Sequence, residues 1–439
     1  MITIPSSTPN QFCSGRSRRD ALKIGALAMG GLSLPQMLRA EAAAGVGSST
    51  KSVIMVYLPG GPTHLDMWDI KEDAPSQIRG EFNAMATSVP GVRICEHLPN
   101  IAKNMEHFAP IRSISDSFGQ HSNYQTLTGH SNRPTEPAGG WPELGAVLAK
   151  FQGDTPEGVP STISMQGGRG ATGGGFLGAA YQPFLPNGRG KADMQMQRGM
   201  TIDRLDDREA LLSAFDNMKR SADNTGMMEG LDEFNQKAFD VVTSNKLMDA
   251  LDINKAQKED LDRYRSGVNT RYRGEVDKFL TARRLVEAGA RCVTLSTGSW
   301  DTHSNNFTTL KDRNLPALDC GLANLVHDLK YSGMIDDVSI VVWGEFGRTP
   351  KVNTKAGRDH WPRVMGALLA GGGLNTGQII GETDRGGAEA SVRPVRVGEV
   401  FATLYKAAGL EPSKLNATDL SGRPLALVDP NDKPMRELI

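Results

Sequence analysis

The sequence predicts an α/β fold with a parallel sheet and an inserted helical lobe, and three observations carry that reading. Apolar, β-branched runs stop abruptly at loops rich in glycine, proline and polar residues. Segments of helical period separate those runs, as crossovers between parallel strands require. A charged stretch free of proline, residues 206–290, repeats Met and Leu at helical spacing.

Taken in order, Lys51 to Leu58 (KSVIMVYL) is a continuous apolar run that ends at Pro59-Gly60-Gly61-Pro62, as a buried strand ends at a loop. Leu98 to Phe108 fits a short helix and Pro110 to Ile114 the next strand, completing a strand, crossover, strand unit. From Gln166 to Met200, through GGRGATGGGF and PNGRG, no period survives, which predicts a long surface loop. Asp206 to Ala290 reads as two to four helices, so loop and lobe together form an insertion at about 166–290. Arg291 to Thr297 (RCVTLST) returns to the sheet. Leu318, Leu322, Leu325, Val326 and Leu329 share one helical face, and Val338 to Trp343 (VSIVVW) is another buried strand. Val364 to Ala370 is a further strand, and Val397 to Gly409 an amphipathic helix stopped by its glycine.

With 439 residues the chain can bury one large core. Lys+Arg 49 against Asp+Glu 50 gives a net charge of −1, which argues against nucleic acid or another polyanion as partner. High glycine (49) with 6% aromatics predicts long, tight loops, where α/β enzymes keep their chemistry. Four cysteines are too few for a disulfide scaffold, and Cys95, Cys292 and Cys320 read as small buried residues.

The amino terminus reads as an address. Arg18-Arg19 precedes a mildly apolar run, Ile24 to Leu38, and then Ala40-Glu41-Ala42-Ala43-Ala44. The run is too short, and too interrupted by Gly and Pro, for a permanent membrane span. Residues 1–44 are therefore expected to be a cleaved twin-arginine signal that engages the export machinery. Residues 45–439 would then be a single exported domain of the periplasm or cell envelope.

After each strand the loop is dense in residues of metal-binding type. Ligands in open α/β sheets bind beyond the carboxyl ends of the strands. His64 and Asp66 follow the first strand, Asp301 and His303 follow RCVTLST, Glu345 follows VSIVVW, and Asp359-His360 lies one loop further on. Asp66, Asp301, His303, Glu345, Asp359 and His360 are the expected ligands of a divalent ion, with zinc, manganese, calcium and magnesium all open. Such an ion would polarise a phosphoryl or sulfuryl oxygen, or generate hydroxide at neutral pH. Arg348 is expected to clamp a tetrahedral anion, His121 with Ser122 to supply an acid or a nucleophile, and His64 to stand beside the reacting group. The competing reading of Glu345 is a plain ion pair with Arg348, and that of His303 a hydrogen-bonded loop histidine. Glu96, His97, His107 and His327 read as surface or packing residues; His130 is left unassigned.

YLPGGPTHLDMWD, the LTGH after GQHSNYQT, WDTHSNNF, WGEFGRTP and GRDHWP occur in that order over nearly the whole chain beyond the address segment. In these stretches the sequence resembles the domain-of-unknown-function-1501 family, which is rich in twin-arginine signals and similar to sulfatases in fold. LPNIAKNMEHFAPIRSI, LTG and VGEVFATLYKAAGL resemble segments of the wider alkaline phosphatase and sulfatase superfamily. The resemblance implies a doubly wound, mostly parallel sheet flanked by helices, with metal at its carboxyl edge. The pattern also departs from that superfamily. Gly119 stands where sulfatases carry a modifiable Cys or Ser, which argues against formylglycine chemistry, and Glu345-Phe346 stands where the superfamily shows Asp-His, which implies a remodelled site. The expected function is an exported, metal-dependent hydrolase acting on small-molecule or glycan esters of phosphate or sulfate. The alternative is a non-catalytic envelope protein that binds sulfated or phosphorylated glycans.

Overall fold

The computed structural model describes residues 51–131, 136–153, 155, 158–166, 172–186 and 245–439. The address segment and the stretch 187–244 of the expected insertion lie outside the described residues. Six strands form the central sheet: β1 (Ser52–Tyr57), β2 (Phe108–Ile114), β3 (Thr162–Ser164), β4 (Cys292–Ser296), β5 (Val338–Trp343) and β6 (Met365–Gly371). Their order across the sheet is β2-β6-β5-β1-β4-β3.

Strand β1 pairs in parallel with β4 and β5, and β4 in parallel with β3. Strand β6 is antiparallel to both β5 and β2, so β2 points the same way as β1 and only β6 of the six is reversed. The reversal follows from the connection: residues 344–364, between β5 and β6, hold no helix to carry the chain across the sheet, and without a crossover the chain returns antiparallel. Pro110, which has no N–H to donate, sits on the edge strand β2. The first two predicted strands do not neighbour each other, because β5 and β6 lie between them.

Every residue of β1 is buried, and alternation divides them between two layers. Val53 and Met55 join helices α1 (Leu144–Gln152) and α4 (Val397–Ala407) on one face. Ile54 and Val56 join α2 (Arg273–Ala288) and α3 (Leu315–Tyr331) on the other. The sheet is thus covered on both sides, as the doubly wound reading requires. The described part of the insertion holds helices Asn245–Leu251, Lys258–Tyr264 and α2, and α2 lays Val276, Phe279, Leu280 and Leu285 into the core. At about 25 cal/mol per Å² of apolar surface, such buried stripes are the main stabilising term of the fold. No helix among the described residues is long and apolar enough to cross a membrane. Cys95, Cys292 and Cys320 are free and buried, as expected.

Candidate metal centre

Loops after β1, β2, β4 and β5 meet at the carboxyl edge of the sheet. The segment before β6 joins them, because a reversed strand begins where its parallel neighbours end.

The floor is set by Gly60 and Gly61, with φ of 107° and 73°. A Cβ on Gly60 would lie 2.3 Å from the Asp301 amide nitrogen, and one on Gly61 2.5 Å from the Phe346 ring. Only glycine fits both the backbone and the space. Their N–H groups donate to Glu345, at 2.9 Å to Oε1 and 3.2 Å to Oε2. Burial first, and the Glu345 charge second, push the Tyr57 phenol far above its ordinary value, so Tyr57 keeps its proton and hydrogen-bonds to Glu345. Glu345 itself is buried, and its Oε1 meets Nδ1 of His121 at 3.0 Å. Glu345, expected as a ligand, therefore stands behind His121 and holds it.

Three loops are braced by Arg348, which is fully buried. Its Nε donates to the Gly61 carbonyl at 2.9 Å, Nη1 to the Arg358 carbonyl at 2.9 Å, and Nη2 to both the Gly60 carbonyl and Asp301 Oδ1. The fork expected to clamp a substrate anion is occupied by the protein itself.

Above this floor stand Asp301, His121, His303 and His360. His121 Nε2 lies 3.4 Å from Asp301 Oδ2, and His360 Nε2 lies 3.2 Å from Asp301 Oδ1. His303 Nε2 is 3.0 Å from Asp301 Oδ1 and 3.0 Å from His360 Nε2, while its Nδ1 meets Asp359 Oδ1 at 2.6 Å. Asp359, expected as a ligand, thus stands behind His303 as Glu345 stands behind His121. Burial opposes ionisation of Asp301, but hydrogen bonds from Arg348 and His360 hold its carboxyl below the ordinary value. Burial first, and the Arg348 and His121 charges after it, hold the His360 ring below its ordinary value, against the pull of Asp301. The His360 imidazole, held toward its neutral form, beside the ionised Asp301 carboxylate supplies donors of the kind a divalent cation takes. His121, Asp301 and His360 each bring one donor atom to within 4.8 Å of the others, a group that could hold a divalent ion.

The remaining expected residues lie elsewhere. Asp66 is fully buried and takes Arg358 Nε and Nη2 at 2.8 and 2.7 Å, with Asn306 Nδ2 at 2.8 Å. With both oxygens occupied by a guanidinium, it is a structural ion pair and not a ligand. His64 is buried, with Nε2 2.9 Å from the Gly387 carbonyl, and desolvation lowers its pKa; it does not face the cluster. Ser122 Oγ accepts the Tyr124 N–H at 3.3 Å, and no hydrogen bond ties it to the cluster. At Gly119 a Cβ would lie 3.0 Å from Pro362 Cγ, so a nucleophilic side chain has little room there. His130, left unassigned above, stacks on Trp141 with ring centroids 3.7 Å apart. Sequence reasoning passed over Tyr57, Asn306 and Arg358. The signal for Arg358 was that a carboxylate such as Asp66, once buried, needs a counter-cation.

No curated protein matches the sequence. Among solved structures, the chain is similar to a sulfatase from Pseudoalteromonas sp., with 14% identity, TM-score 0.33 and coverage of 91% of this chain and 75% of that one. It is also similar to a phosphonate monoester hydrolase from Silicibacter pomeroyi, with 11% identity, TM-score 0.34 and coverage of 87% and 78%. A third is the lipoteichoic acid synthase LtaP from Listeria monocytogenes, with 9% identity, TM-score 0.32 and coverage of 82% and 72%. The chain belongs to the family described as protein of unknown function (DUF1501), whose model matches residues 50–439.

Proposed function

We propose that this chain is an exported, metal-dependent hydrolase of phosphate or sulfate esters. The observation that carries the reading is the meeting of His121, Asp301 and His360, from three separate loops, at the carboxyl edge of the sheet, with His303 beside them. When bound there, a divalent ion supplies charge that polarises an ester oxygen and lowers the pKa of water.

The residues of the chain divide the remaining work. His121, Asp301 and His360 would hold the ion, with His303 beside them. Glu345 and Asp359 orient His121 and His303 through their Nδ1 atoms. Arg348 fixes Asp301 against the Gly60-Gly61 turn, so the carboxylate needs no reorganisation when a substrate arrives. With no side-chain nucleophile at Gly119 and Ser122 turned to its own helix, water is the attacking group in this reading. Export is supported by the arginine pair at Arg18-Arg19 and the apolar stretch after it.

The test is turnover of aryl phosphate and aryl sulfate esters by the full chain, before and after dialysis against a chelator. The expected result is turnover that disappears with the metal and returns on adding zinc. Metal-loaded protein that hydrolyses neither ester would overturn the proposal.

A further inference from the structure

Resting on that reading and deepening it, we infer that Asn353 is a positioning residue, whose side-chain amide fixes the loop of His303 against the loop of Asp359 and His360. The two loops, 301–306 and 353–360, lie backbone against backbone. The Asn305 N–H donates to the Lys355 carbonyl at 3.0 Å, the Asn306 N–H to the Ala356 carbonyl at 2.9 Å, and the Arg358 N–H to the Thr302 carbonyl at 3.1 Å. A Cβ on Gly357 would lie 2.1 Å from the His303 carbonyl oxygen, so only glycine allows this approach. The side chains that matter are less well held than the backbone. His303 is 46% exposed and Asp359 55%, so burial does not fix either of them.

The approach is made through strained backbone. Asn305 and Ala356, facing each other across the two loops, are both left-handed, with φ of 49° and 52°. Asparagine visits that region readily, but in alanine the Cβ crowds the following carbonyl oxygen. Such outliers persist only where the surroundings over-determine them. Asn353 supplies that determination. Its Oδ1 accepts from the Lys355 N–H at 2.9 Å and the Gly357 N–H at 3.0 Å, and its backbone bonds to Gly357 and Ala356 as well. Two backbone donors at one end of the amide establish that end as the oxygen. The nitrogen then faces away from the turn: Nδ2 donates to the His303 carbonyl at 3.0 Å and lies 3.4 Å from each oxygen of Asp359. One end of the amide holds the turn around Ala356. The other grips the His303 main chain and the carboxylate that meets the His303 ring, and so sets that ring 3.0 Å from Asp301 and from His360.

The experiment separates the two ends of the amide. Asn353→Asp keeps the acceptor that holds the turn and loses the donor, whereas Asn353→Ala loses both without adding charge. A displacement common to the two variants is therefore due to the lost donor. The readouts are metal-free crystal structures of the full chain, hydrogen exchange at the Gly357 amide, and affinity for zinc alone by chelator competition. In Asn353→Asp we expect an unchanged melting temperature and an unchanged Gly357 amide, with the His303 ring moved off Asp301 and zinc bound about 10-fold more weakly. Asn353→Ala should show the same displacement together with faster exchange at Gly357. Should Asn353→Ala fail to fold, Asn353→Asp carries the test. His303 left in place in the folded variants, or zinc affinity that falls only together with the melting temperature, would overturn the inference. A parent chain that takes up no zinc sinks the proposed hydrolase, and the metal-free structures then decide the role of Asn353 by themselves.

Discussion

Two short motifs of this chain mirror each other, His64-x-Asp66 after β1 and Asp301-x-His303 after β4, and the fold uses them in opposite ways. Each aspartate has a buried arginine. Arg358 gives Asp66 two prongs, one to each oxygen, and the pair is 0% exposed on both sides. Arg348 gives Asp301 a single prong at Oδ1, and Asp301 remains 42% exposed, with Oδ2 turned to His121. The histidines follow their aspartates. His64 is sealed against the Gly387 carbonyl, whereas His303 is nearly half exposed beside His360. An aspartate saturated by a guanidinium holds loops together, and one that is half satisfied keeps donor capacity for a ligand.

The largest expected effect breaks the buried half. Arg358→Met leaves Asp66 without a counter-charge in the core and should cost about 3–5 kcal/mol in denaturant unfolding. Adding Asp66→Leu should recover most of that loss, since removing both charges abolishes the unpaired ion. A cost under about 1 kcal/mol for Arg358→Met would show that the pair is not sealed from water.

Acid comes next, because burial holds His64 and His130 below their ordinary value. Burial holds His130 at about 4, below its ordinary 6.5, and lowers His64 as well. The unfolded chain then takes up protons first, so stability is full above pH 6.5 and is lost as pH falls toward 4. His130 alone accounts for up to about 3 kcal/mol. His130→Phe should flatten the fall of melting temperature across that interval, and an unchanged slope would remove His130 from the account.

Smallest in stability is the exposed half. His303→Ala should shift the unfolding free energy of the metal-free protein by no more than about 0.5 kcal/mol, as at an ordinary surface position. A large loss of stability in the metal-free variant would mean that His303 is a packing residue and would erase the contrast between the two motifs.

Much of the fold was legible in the residues. The strands at β1, β4, β5 and β6 were readable because each is a long apolar run cut off by glycine, proline or polar residues. Strand β3 was not, since Thr162–Ser164 is three residues long and gains its strand character only from pairing with β4. The reversal of β6 was invisible for a similar reason: strand direction depends on the route of the connection and not on local pattern. At the site, motif composition named Asp301, His303 and His360, which stand together in the fold, and named His121 for another role. It could not separate Glu345 and Asp359, which stand behind rings, from groups that face the cluster. Burial and partner decide that, and neither is a local property.

Local chemistry alone determined which segments would be buried and where loops would gather polar residues. Tertiary structure decided which of six similar acidic and imidazole positions remained free. It did so through two arginines distant in sequence from Asp66 and from Asp301. A carboxylate's availability depends on how many of its oxygens a cation already holds, and only the folded chain brings that cation into contact.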